Sequence, residues 1–182
     1  MEHLKEKTLE SERVFDGNFI RLRKDRVVLP NGATSTREVV EHPGAAAIVP
    51  LTPRKEVVLI RQWRHPIKEV SIEIPAGKLS EDEDPLECAK RELSEETGFS
   101  ARRWDPLIQF YASPGFCDEE MHLFIARDLY VSDGRPDEDE FVEPLVVPLE
   151  AALEMIETGE IMDAKSIIGL LRAARFLEME KV

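Results

Sequence analysis

The chain has 182 residues, 42% of them hydrophobic and 34% charged, with a formal net charge of −13; that suffices for one domain with a sizeable core and a small appendage. The acidic excess argues against nucleic-acid backbones, which are bound by clustered Lys and Arg, and no apolar run approaches the ~20 residues of a membrane span. The two cysteines, Cys88 and Cys117, have no zinc-type spacing and read as ordinary thiols.

The segment MEHLKEKTLESERVF is charged from its first residues and has no apolar signal core, so a cytoplasmic location is expected. Between Val14 and Glu41, the dipeptides Asp16-Gly17 and Asn31-Gly32 are turn signals separating β-rich runs. They predict two hairpins or a small antiparallel sheet ahead of the main domain. GAAAIVP (44–50) and EVVLIRQW (56–63) suit buried strands, and 70–74 alternates as a third. Pro75 ends that strand, and Ala76-Gly77 is expected to open a loop into a helix. The helix should start at Asp84 or Pro85, an N-cap residue followed by a proline favoured at the first helical position. Leu86, Ala89 and Leu93 form its apolar stripe, and Gly98 is placed as a C-terminal glycine. Strands follow at 106–111, 121–126 and 141–147, and helices at 148–158 and 164–178. An acidic loop, VSDGRPDEDE, spans 131–140. The order is no regular βαβ series, so an α/β sandwich with a mixed sheet is expected. The boundary falls between a 1–43 β-sheet region and a 44–182 main domain.

The helix itself carries the chemistry. Residues three and four apart share a helix face, so Glu92 and Glu96 project together with Glu95 beside Glu92, and like charges at that spacing repel. A hard divalent cation reverses the sign of that effect, because Mg²⁺ takes carboxylate oxygens and bridges to substrate phosphates. Arg91 precedes Glu92 by one residue and is expected to point away from it. Its fork suits an ion pair with Glu83 or Glu95 that fixes the loop–helix geometry.

The stretch GKLSEDEDPLECAKRELSEETGF, with Gly77, Glu83, Arg91, Glu92, Leu93, Glu95, Glu96, Gly98 and Phe99 at fixed distances, resembles the signature box of the Nudix hydrolases without a departure. The resemblance implies a Nudix-type α/β/α sandwich and hydrolysis of a nucleoside diphosphate linked to another group. It implies metal ligation by Glu92, Glu96 and the Ala76 carbonyl, with Glu95 as a further ligand or catalytic group. Mg²⁺ is the expected ion and Mn²⁺ a substitute. In many relatives the general base lies in a later acidic loop; carried over, Glu138 is the base and Glu140 a metal ligand.

The box does not fix the substrate, but residues beyond it narrow the choice. Pro114, sixteen residues past Gly98 and set in YASPGFCDEEMHLFIA, resembles the ADP-ribose pyrophosphatase subgroup. The resemblance then implies substrate contacts by Arg64 and Arg61 of RQWRHP, by Arg37, by Glu119 at the terminal ribose, and by Phe19 stacking on adenine, with Gly77 at the box entrance. It also implies a homodimer that exchanges its N-terminal sheets. ADP-ribose, converted to AMP and ribose 5-phosphate, is the expected substrate. GDP-mannose or another nucleoside diphosphate sugar is the alternative, and an ADP-ribose sensor that does not cut is an alternative of another class.

Overall fold

The computed structural model describes residues 1–134 and 141–180. The chain divides into two compact units. One joins Met1–Gly44 with Tyr111–Glu120, the other Ala45–Phe110 with Met121–Val182.

In the first unit, β1 (Lys7–Asp16), β2 (Arg21–Val28) and β3 (Thr34–Glu41) form an antiparallel sheet in that order. The predicted turns lie at its two reversals: Gly17 N–H donates to the Ile20 carbonyl, and Gly32 N–H to that of Leu29. β1 starts at Lys7, well before the expected Val14. Its sequence, KTLESERVFD, is exposed at every position, so no buried face imprints an alternation on it. It is held by backbone pairing to β2 and by polar cross-strand contacts. Arg26 forks onto Glu10 at 3.2 and 2.7 Å, and Ser11 Oγ donates to buried Asp25 at 2.6 Å. The 111–120 segment docks on the end of β3: Val40 N–H donates to the Phe116 carbonyl, and His42 N–H to Asp118 Oδ1.

The second unit holds β4 (Ala45–Pro50), β5 (Glu56–Arg64), β6 (Glu69–Glu73), β7 (Ala76–Lys78), α1 (Pro85–Thr97), β8 (Phe99–Tyr111), β9 (Glu120–Val131), β10 (Val142–Pro148), α2 (Leu149–Glu157) and α3 (Ala164–Met179). Its sheets run β7-β4-β9-β8 and β10-β5-β6. β4 lies parallel to β9 and antiparallel to β7, which makes the larger sheet mixed. Every residue of β4 is buried, and its two faces divide the core by the period-two rule. Ala46 and Ile48 pack with Cys88, Ala89 and Leu93 of α1. Ala45, Ala47 and Val49 share a cluster with Ala152 of α2 and with Leu170 and Ala173 of α3. Helices therefore cover both faces, giving the expected α/β/α sandwich. Among the described residues no helix is long and apolar enough to cross a membrane.

Two expectations need correction. Ala76–Lys78 is a short strand rather than the start of a loop, because β4 offers a free edge: Ala47 pairs with Ala76 and Ala46 with Gly77. β8 begins at Phe99 rather than at 106. Its first half, FSARRWD, alternates too weakly in hydropathy to be read as a strand, yet Phe99, Ala101 and Trp104 pack against the α1-side cluster.

Candidate active site

The site is built on α1 and the edge strand β7. Asp84 caps α1, its Oδ1 accepting from Leu86 and Glu87 N–H at 2.9 and 3.3 Å, with Pro85 following it. Gly98 closes the helix in the left-handed region at φ 70°, a conformation glycine adopts without a side-chain penalty. Between these caps the helical spacing fixes where the acids stand.

Glu92 and Glu96 are 7% and 3% exposed, unusual for carboxylates. Both turn toward β7. Ala76 N–H donates to Glu96 Oε2 at 2.9 Å. Glu92 lies across the Gly77 backbone so closely that a Cβ on Gly77 would stand 1.7 Å from its Oε1. The glycine is thus required by the approach of a carboxylate. Strand β7 matters for this reason: pairing to β4 holds Ala76 and Gly77 extended beneath the helix.

Arg91 braces the acids. Its Nε and Nη2 form a fork with Glu83 at 3.0 and 3.1 Å, and Nη1 reaches Glu95 Oε2 at 3.0 Å. It does not point away from Glu92, as its position one residue earlier implied: Nη1 also donates to Glu92 Oε1 at 2.6 Å. The long arginine arm curls back over its own helix, so adjacency in sequence does not forbid the contact. Glu83 is held in turn by Ser80 N–H. The hydrogen bonds from Arg91 keep the Glu83 carboxyl below the usual carboxylate range, and those contacts push the guanidinium higher still. Cys88, buried behind this network, aims its thiol at the Lys78 carbonyl. Burial foremost, then the charge of Glu83, raises it to about 12, which keeps it protonated.

At the end of β6 lies a further buried carboxylate, which the sequence reading missed. Glu73, 2% exposed, receives a fork from Arg64 at 2.8 and 2.7 Å and a further bond from Lys165 of α3. Burial alone would raise its carboxyl, but the hydrogen bonds from Arg64 and the charge of Lys165 prevail and hold it at about 2. The available signal was a lone acid between isoleucines in SIEIPAG, a charge that needs partners once its strand end is buried.

The candidate residues divide between the units. Ala76, Gly77, Arg91, Glu92, Glu95 and Glu96 gather in the second, where Arg64 is engaged by Glu73 and Arg61 by Glu143 across β5 and β10 at 2.8 Å. In the first, Arg37 pairs with Glu6, Phe19 stands edge-on to His42 with ring centroids 5.9 Å apart, and the Glu119 carboxylate lies 3.8 Å from His42 Nδ1. Pro114 lies in the docked 111–120 segment. Glu138 and Glu140 lie outside the described residues. Among the described residues no three His, Cys, Asp or Glu side chains converge as a metal-binding group. The donors on offer are two buried carboxylates and the β7 backbone. These hard oxygens, set together by the close approach of Glu92 to Gly77, fit Mg²⁺, which takes one or two carboxylates and leaves other positions to water and phosphate.

The family model described as "NUDIX domain" matches residues 41–167, and "Nucleoside diphosphate sugar hydrolase N-terminal domain" matches residues 6–40. An ADP-ribose pyrophosphatase of Bacillus subtilis (strain 168) is 45% identical over 172 residues, covering 93% of each chain. A methanol dehydrogenase activator of Bacillus methanolicus is 42% identical over 178 residues, covering 97% of this chain and 94% of that one. A crystal structure of an ADP compounds hydrolase superposes with a TM-score of 0.87 over 97% of this chain and 96% of that chain; at 24% identity it speaks to the fold. The matched stretch takes in β7 and α1 whole, and the chain belongs to the NUDIX domain family.

Proposed function

We propose that this protein is a Mg²⁺-dependent ADP-ribose diphosphatase, converting ADP-ribose and water to AMP and ribose 5-phosphate. The observation that carries the chemistry is the packing of buried Glu92 across Gly77 beside the Ala76–Glu96 hydrogen bond. It supports a role for Glu92, Glu96 and the Ala76 carbonyl in holding the ion, with Glu95 as a further contributor and Mn²⁺ as a substitute. A divalent ion bound there neutralises diphosphate charge and lowers the pKa of water. The chain's own residues do the rest. Arg91 keeps Glu92 and Glu95 oriented, which preserves geometry that need not be reorganised during reaction. In the acidic loop Glu138 serves as the base that takes the proton of the attacking water, and Glu140 as a ligand. One P–O–P bond breaks, and the water oxygen ends on phosphorus.

ADP-ribose is favoured over GDP-mannose by the 45% identity to an ADP-ribose pyrophosphatase and by Pro114. In this reading Arg64, Arg61 and Arg37 meet the diphosphate side of the substrate, Phe19 stacks on adenine and Glu119 accepts from the terminal ribose hydroxyls. The 1–43 region forms a dimer by exchanging sheets, and 44–182 is the hydrolase domain. A cytoplasmic location is supported by two free thiols. Incubation with ADP-ribose and Mg²⁺, followed by nucleotide chromatography, should release AMP and stop with EDTA. Release of GMP from GDP-mannose without AMP from ADP-ribose would move the substrate. Tight ADP-ribose binding with no product would favour the sensor.

A further inference from the structure

We infer that Ser166 and Asp163, at the N-terminus of α3, are positioning residues for the Ala76 corner of the site. The inference rests on the metal reading of Glu92, Glu96 and Ala76.

Ala76 has two duties there: its N–H fixes Glu96 at 2.9 Å, and its carbonyl is a proposed ligand. The chain just before it is clamped from α3. Ile74 N–H, wholly buried, donates to Ser166 Oγ at 2.9 Å across 92 residues of sequence. Ser166 is itself fully buried. Its one hydroxyl proton goes to Asp163 Oδ2 at 2.5 Å, which leaves a lone pair of the same oxygen aimed at Ile74. Asp163 Oδ2 also caps α3 by accepting from Ser166 N–H at 2.9 Å, and it accepts from Lys165 Nζ at 3.0 Å. Lys165 in turn bonds Glu73, the residue before Ile74. From the far side, Ile48 N–H holds the Pro75 carbonyl at 2.9 Å.

Residues 73, 74 and 75 are therefore each gripped, two of them by the first turn of α3. Pro75 stiffens the short lever from Ile74 to Ala76 because its ring fixes φ. Loss of the Ser166 hydroxyl orphans a buried N–H that has no route to water. The segment must shift to satisfy it, and Ala76 lies two residues downstream. Ser166 touches neither ion nor substrate in this account; it acts through the backbone.

The test uses the full-length protein without substrate. Mn²⁺ binding is followed by the electron paramagnetic resonance of the free ion, and the Ala76 amide by hydrogen exchange, both below each variant's melting temperature. Ser166→Ala should weaken Mn²⁺ binding by about 10- to 100-fold, the effect typical of residues that orient metal ligands. It should also speed exchange at Ala76. Asp163→Asn keeps the hydroxyl and weakens its anchor; it should move both readouts in the same direction by less. Unchanged Mn²⁺ affinity and Ala76 exchange in either folded variant would overturn the inference. Glu96→Gln separates the two layers. If it loses Mn²⁺ while Ser166→Ala binds like wild type, the positioning role fails alone. If Glu96→Gln itself binds like wild type, the metal reading fails and takes this inference with it.

Discussion

Glu96 meets the Ala76 amide, and removing its charge while keeping its shape isolates what that charge does. Glu96→Gln should lower kcat by orders of magnitude with a circular-dichroism melt like wild type; wild-type turnover in the folded variant would remove Glu96 from the metal site. Gly77→Ala probes the same place by crowding. The new methyl meets Glu92 Oε1, Cδ and Cγ, all side-chain atoms, so the carboxylate is displaced and the fold survives. Mn²⁺ affinity should drop by about 10- to 100-fold, and an unchanged Mn²⁺ titration would show that Glu92 has another resting place. Glu73 gives a pH prediction. Its folded pKa of about 2 lies below the unfolded value of about 4.3. The stability it contributes is therefore fully present above the unfolded value and is lost as pH falls through the folded one. Acid unfolding followed by fluorescence should steepen across that window and flatten in Glu73→Gln, which also leaves Arg64 and Lys165 facing each other at a cost of about 3–5 kcal/mol. The box residues were legible because their spacing on one helix fixes their geometry. The Glu73–Lys165 pair was not, since 92 residues separate its members and only the fold brings them together.

At the scale of elements, α1 is the piece whose ends were readable: Asp84, Pro85 and Gly98 act through local backbone chemistry. Asp84→Ala should cost about 1 kcal/mol by leaving the Leu86 and Glu87 amides uncapped. Thermal melting would record a fall of roughly 2–4 °C; an unshifted melt would mean that other groups satisfy those amides. β4 was equally plain, because a run buried on both faces is apolar throughout. β1 and β7 escaped notice for opposite reasons. β1 is long but buries no residue, so its strand character resides in backbone pairing and cross-strand ions. β7 has three residues, too few for any period, and exists because β4 presents an edge. The element that presents the site's backbone was thus the least visible in sequence.

For the molecule as a whole, the proposed sheet exchange predicts a mass in solution. Light scattering after gel filtration should give twice 20.8 kDa, and a monomer at micromolar concentration would refute the exchange. The two units also differ in their thiols. Cys88 is sealed on the inner face of the acid-bearing helix and stays protonated near neutral pH, whereas Cys117 lies in the 111–120 segment with part of its surface open. A maleimide fluorophore applied to the native protein should therefore attach at one place only. That gives the first unit a built-in reporter, so its movements can be watched by light without a single mutation near the acids.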